Sequence, residues 1–449
     1  MTKLSHLALF LFPALLVTSA AAQEAADPLG HVVAEALRNN LGLAQEDLAA
    51  ARAEAGVRES RGRFLPALSF DSRYSEQSGT LNLGEILNPA YAAINRMSGQ
   101  STFPTDLDLT LPLRHETRLR LVQPLFDPAI VASHALSRHS RDGQLLQRAA
   151  AARRLAATAQ TAYLDVAAAR SGSRTWEATL ALVTESERVA QRLVAAGRAT
   201  PDAVLRARAD RAEVEQRLAE ARETERAAGR ALNQVLRRPL DSTVDEVPDS
   251  LLRFDLTISE GEATSSALNR REELAQADAG IRAADAGVRL ASAPMLPTVS
   301  LAVDYGFQGP DLGFSRDDDY VVGSLVLSWS LFNGGRDGAR REAARLEAER
   351  LRLHRTELED LIRLDVRQAY GAAVVARDAI GTADARLAAA RSNFDLVRRR
   401  YQEGLAPQVE FLDARTSLTN AELNRVLTVH QYADRYVDME RAAALRRID

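Results

Sequence analysis

PTVSLAVDYGFQ, residues 297–308, alternates without a break: Val299, Leu301, Val303, Tyr305 and Phe307 stand against Thr298, Ser300, Ala302, Asp304 and Gly306. A period of two puts the first set on one face of a strand and the second set on the other. The run is about ten residues long, the length a tilted membrane strand needs. The return stretch YVVGSLVLSWSLF, residues 320–332, aligns Val321, Leu325, Leu327, Trp329 and Leu331 against Ser324, Ser328 and Ser330. Earlier, LRHETRLRLVQPLF, residues 113–126, sets Leu113, Thr117, Leu119 and Leu121 against Arg114, Glu116, Arg118 and Arg120. That second face cannot meet lipid. A lone hairpin of this kind reads most simply as a half-buried surface ribbon, but these hairpins lie between helices too long and too polar to cover them. Four strands cannot close a barrel, because about eight is the minimum and an open edge in lipid leaves backbone groups unpaired. If the strands span a membrane, several chains share one barrel.

The strands recur because the chain is duplicated. Residues 36–69 carry AL, LAQ, AGVR and LPALS, and residues 267–300 carry AL, LAQ, AGVR and LPTVS at a constant offset that Tyr74 and Tyr305 also keep. PLFDPAI from Pro124 then matches SLFNGGR from Ser330. The first copy holds an insertion, roughly residues 77–110, rich in Gly, Pro, Asn and Thr, which reads as an elongated loop. Each copy is expected to run short helix, helix, strand, loop, strand, very long helix, tight turn, helix. The divisions are a first repeat at 23–236, with its strand hairpin near 66–126 and its helical hairpin near 128–236. A linker at 237–263, marked by prolines and acids, leads to a second repeat at 264–449, with hairpins near 297–332 and 335–446.

Between Ala129 and Ala196, and between Arg336 and Gln402, there is no proline. At 1.5 Å per residue each stretch makes a helix on the order of 100 Å long, which must pack along others as a coiled coil. Leu155, Ala159, Ala162 and Val166, and Leu387, Ala390, Phe394 and Val397, supply apolar seams. Periodicity alone fits a solid rod as well as a tube. The composition agrees with long helices: Ala, Arg, Leu and Glu dominate and only 5% of residues are aromatic. A net charge of −4 offers no nucleic-acid surface. Residues 1–22, with Lys3, an apolar core from Leu7 to Val17 and small Ala20 and Ala22, read as a secretory leader. The chain has no cysteine, hence no disulfide, no thiolate metal site and no lipidated N-terminal Cys.

Two turns close the helical hairpins. AGRATPDAVLRAR, residues 196–208, and EGLAPQVEFLDAR, residues 403–415, share the glycine, a proline and the Leu-x-Ala-Arg ending. Where the first has Ala203 and Arg206, the second has Glu410 and Asp413, three residues apart on one helical face.

In this order within a duplicated chain, the Leu-Pro openings, QPLFDP, SWSLFNGGR and YQEGLAPQVEFLDAR with the following TSLTNAELN resemble the TolC-like outer membrane factor family. The resemblance implies a mainly α protein with membrane β, in which a homotrimer builds one twelve-stranded outer-membrane barrel, four strands from each chain, continued by a long periplasmic helical tunnel. It implies a passive exit duct of tripartite efflux or type I secretion, surrounded by outer-membrane lipid, docked by a periplasmic adaptor and through it by an inner-membrane pump. The linker would belong to a belt around the tunnel. By motif position, Ala196, Gly197, Arg198, Glu403, Gly404 and Leu405 would be the adaptor-docking tips. Glu410 and Asp413 would narrow the channel as a carboxylate ring, although acids also simply suit a first helical turn. Arg114, Glu116, Arg118 and Arg120 would face the barrel lumen.

Other chemistry has little support. The seven histidines are scattered, and His134 and His139 lie five apart, off a shared helical face, so neither a cofactor nor a bound metal is expected. There is no phosphate loop and no GxSxG motif. A soluble exported coiled-coil adaptor or rod shares the helical pattern but not the amphipathic strands, and an exported hydrolase would need a nucleophile and base that the sequence does not offer.

Overall fold

The computed structural model describes residues 28–75, 81–107, 110–111, 114–245, 254–309 and 312–448. The leader at 1–22, Leu113 and the linker stretch 246–253 lie outside the described residues. The chain is mainly helical: α1 (Pro28–Asn39), α2 (Leu41–Gly62), α3 (Gly84–Ser98), α4 (Pro128–Ala195), α5 (Asp202–Leu236), α6 (Glu260–Arg270), α7 (Glu272–Ser292), α8 (Arg336–Gln402) and α9 (Gln408–Ala442). Among the described residues no helix is long and apolar enough to cross a membrane. Strands β1 (Ala67–Tyr74), β4 (His115–Phe126), β5 (Thr298–Gly309) and β6 (Asp319–Ser328) form one antiparallel sheet in the order β1-β4-β5-β6. A two-residue ribbon pairs β2 (Leu81–Asn82) with β3 (Thr110–Leu111).

The chain folds as two units. One takes the residues up to Leu48, Leu146–Ala275 and those from Thr356 on; the other takes Ala49–Leu145 and Gln276–Arg355 and contains the sheet. In the first unit, Leu29, Val32 and Ala36 of α1 pack with Ala159, Tyr163 and Val166 of α4 and with Leu232 and Leu236 of α5. Ala263 and Ala267 of α6 meet Ile362, Val366 and Ala373 of α8 and Met439 and Ala442 of α9. Alanine recurs because helices can approach closely only where side chains are small, and each fully buried one still contributes by leaving water. The described part of the linker ahead of α6 is irregular and is pinned by polar groups. Arg238 forks onto both oxygens of Glu35 (2.6 and 2.5 Å), and Asn233 donates to the carbonyls of Leu240 and Ser242. Phe254 stacks on Tyr436 at 4.6 Å.

In the second unit the alanine pattern repeats: Ala132, Ala279, Ala286 and Ala348 are buried. Leu296 ends a short 3-10 turn (Ala293–Met295) in extended conformation ahead of Pro297. The insertion departs from the expected loop, for much of it is the helix α3. Its asparagines, which read as loop formers, act instead as cross-braces. Asn88 donates to the Leu107 carbonyl and accepts from the Leu107 N–H, both at 2.9 Å. Asn95 accepts from the N–H groups of Thr102 and Phe103, and Tyr91 stacks on Phe103 at 5.2 Å. Those bonds satisfy the backbone of the returning segment.

Candidate functional site

The sheet has two chemically distinct faces. Register pairs Phe70 with Leu119, Leu119 with Tyr305, and Tyr305 with Val321. One face therefore gathers Leu68, Phe70, Leu121, Leu301, Leu325 and Leu327, and these stay exposed, Phe70 at 68% and Leu325 at 70%. A continuous exposed apolar face of this size needs a nonaqueous surrounding. The opposite face pairs Asp71 with Arg118 and Arg120 with Asp304. Arg118 lies 3.0 Å from Glu116 and 3.7 Å from Asp71; Arg73 reaches Glu116 at 3.5 Å, and Arg120 reaches Asp304 at 3.6 Å. Tyr320 donates to Glu116 at 3.3 Å. Gly306 makes the crossing possible: a Cβ there would fall 2.5 Å from the Thr117 carbonyl oxygen and 2.8 Å from Arg118 Cβ. Glu116, Arg118 and Arg120 thus share one ion-paired face. Arg114 is exposed and precedes β4, its carbonyl accepting from the Ser75 N–H at 2.7 Å. The outer edges of β1 and β6 pair with no other strand among the described residues.

The hairpin tips are built alike. Gly197 has φ +67° and Gly404 φ +78°, values that cost an L side chain strain. Arg198 N–H donates to the Leu193 carbonyl (2.8 Å) and Gly197 N–H to Val194 (3.0 Å); Leu405 N–H donates to Arg400 (2.8 Å) and Gly404 N–H to Tyr401 (3.0 Å). Both turns are therefore the same glycine-capped motif, in which the last carbonyls of α4 and α8 are satisfied from just past the helix end. Ala196, Gly197, Arg198, Glu403, Gly404 and Leu405 all lie exposed at these turns.

Glu410 and Asp413 sit in the first two turns of α9. Asp413 is exposed, whereas Glu410 is held by Arg400 at 3.0 Å. The two carboxylates are thus unequal in free charge. Sequence reasoning missed the residues that tie the second tip to the first copy. Gln408 donates to the Ala203 carbonyl at 2.9 Å, Arg415 meets Asp210 at 2.7 Å with both side chains largely buried, and Thr179 and Thr419 share a hydroxyl contact at 3.2 Å. Burial pushes Asp210 above the usual carboxylate range against the pull of Arg415. Arg415 carried a signal, since its Leu-x-Ala-Arg repeats as Arg208, but no spacing in the sequence names its partner.

Residues 263–444 match the outer membrane efflux protein family. No curated protein sequence matches the chain. Among solved structures the fold is similar to that of CusC, described for its transmembrane channel formation, at 18% identity and a TM-score of 0.76 over 92% of this chain and 91% of that one. It is similar to the outer membrane protein VceC of Vibrio cholerae at 19% identity and a TM-score of 0.71, covering 92% and 95% of the two chains. The open state of the MtrE outer membrane channel of Neisseria gonorrhoeae matches at 19% identity and a TM-score of 0.73, covering 92% and 88%.

Proposed function

We propose, from the premise that residues 263–444 belong to the outer membrane efflux protein family and that the whole chain has the fold of such channels, that this protein is an outer-membrane exit duct of tripartite efflux. The observation that carries the reading is the sheet: four strands, one exposed apolar face, one ion-paired polar face, and two open edges. An edge in hydrocarbon leaves N–H and C=O groups without partners at a cost of several kcal/mol each, roughly, so the edges must meet further strands. Joining β1 of one copy to β6 of the next satisfies every strand. Three copies give a twelve-stranded barrel with lipid outside and Glu116, Arg118 and Arg120 toward the lumen.

The helices continue the duct into the periplasm as a passive conduit, and the energy comes from an inner-membrane pump. The exposed turns at Ala196–Arg198 and Glu403–Leu405 are the docking points for a periplasmic adaptor. Asp413, with Glu410 beside it, lines the constriction. The test uses the absence of cysteine: single cysteines placed along the outer edges of β1 and β6 should cross-link copies into trimers in the outer-membrane fraction, and the purified protein should conduct ions across a planar bilayer. A monomer recovered in the soluble fraction overturns the proposal.

A further inference from the structure

One donor set in the first unit lies apart from the tips and is used by nothing described so far. Asp165 comes from α4, while His430 and Asp434 stand one helical turn apart on α9. His430 Nε2 lies 3.0 Å from Asp165 Oδ1 and 3.2 Å from Asp434 Oδ2, and the three donor atoms fall within 4.8 Å of one another. We propose that Asp165, His430 and Asp434 form a binding site for a divalent ion of the zinc class, which clasps the long helix of the first repeat to the return helix of the second.

The geometry supports coordination over a simple ion pair. Ligand atoms about 2.0–2.2 Å from a tetrahedral zinc lie a little over 3 Å apart; both His430 contacts already have that spacing, and the two carboxylates, within 4.8 Å of each other, would close on the ion. A single imidazole N–H cannot donate well to two carboxylates at once, whereas a cation between them engages all three groups. Asp434 Oδ1 is buried without a hydrogen-bond partner. The pair Arg153–Glu272 is closed differently, for Arg153 bonds both oxygens of Glu272 and the Arg446 carbonyl. The unpartnered oxygen leaves Asp434 free to bind through either or both of its oxygens.

Charge points the same way. Two carboxylates around one imidazole leave the set negative when His430 is protonated and more so when it is neutral. Arg435 and Asp438, the next charged pair along α9, answer each other at 3.8 Å. His430 also borders a cavity of about 970 Å³ whose Arg425 is engaged by Asp384 at 2.8 Å, giving room for the waters that would complete the coordination. Imidazole argues against calcium and magnesium, and the two carboxylates argue against a soft monovalent ion; the divalent ions from manganese to zinc remain.

The proton and the ion compete for the same nitrogen. Zinc needs the neutral ring, so binding should weaken as the medium becomes acid.

The full chain, purified in detergent and stripped with chelator, should take up one zinc per chain in equilibrium dialysis. His430→Ala should weaken that binding by about 100-fold or more and Asp165→Asn by about tenfold, the second serving if the first fails to assemble. Zinc should raise the melting temperature of the stripped protein and should do so far less in either variant. Absence of stoichiometric zinc, equal binding by the variants, or a melting temperature that zinc leaves untouched would each overturn the site in favour of a purely ionic triad.

Discussion

At the first hairpin tip Glu187 is buried, accepting from Gln191 at 3.1 Å and pairing with Arg208 at 3.1 Å and Arg211 at 3.3 Å. One repeat later, with Gly197 set against Gly404, the same position is Phe394, 5.7 Å from Phe411, which in turn stacks on Tyr401 at 4.8 Å. Val194 and Val204 occupy the places of Tyr401 and Phe411. The two turns thus keep one backbone, glycine and hydrogen bonds included, on two different supports. An electrostatic support weakens with salt and tolerates rearrangement, while an apolar cluster is indifferent to salt and intolerant of truncation. The arginine ending diverges too. Arg208 stays within its own hairpin and is mostly exposed, whereas Arg415 is buried and crosses to Asp210 of the other copy.

The largest effect expected from this difference is Phe411→Ala, which should cost about 3–5 kcal/mol locally and show as fast amide exchange confined to the second tip. Val204→Ala should leave the first tip nearly as protected as before, and equal losses at both would break the contrast. Gly197→Val and Gly404→Val come next, each costing about 1–3 kcal/mol through the left-handed backbone. Here the tips should behave alike: export falls with either variant while the assembled protein remains in the membrane, and normal export would remove the docking role from that turn. Glu187→Gln should cost about 1 kcal/mol, since the two arginines it releases are already near water. Raising salt should mimic it, loosening residues around 190–205 more than those around 395–410, where exposed pairs such as Arg400–Glu410 are screened.

Much of this was legible in the sequence because it rests on local rules. Alternation at Val299–Phe307 gave the strand, the absence of proline gave α4 and α8, and glycine in the two repeated motifs marked both turns. The insertion misled because Asn88 and Asn95 favour loops on their own, and only the returning segment at 102–107 converts them into braces. The pairings Arg415–Asp210 and Asp165–His430 span 205 and 265 residues, so no spacing rule could join them. Histidine spacing along the chain likewise could not reveal that His430 meets a carboxylate from another helix.

The smallest effect sharpens the comparison inside the second tip. Glu410 and Asp413 entered as equivalent members of a carboxylate pair that the first tip lacks. Glu410, however, shares a salt bridge with Arg400, and an exposed pair of that kind is worth only about 0.2–1 kcal/mol. Removing Glu410 therefore takes away a charge already answered and leaves Arg400 to turn toward its neighbours, whereas removing Asp413 takes away a charge that still attracts cations. In single-channel recordings Asp413→Ala should relieve block by divalent cations more than Glu410→Ala does, and Arg400→Ala should deepen the block by freeing Glu410. Equal relief from both acid variants would mean that Arg400 leaves Glu410 in the proposed trimer, and the two carboxylates would then act as one ring.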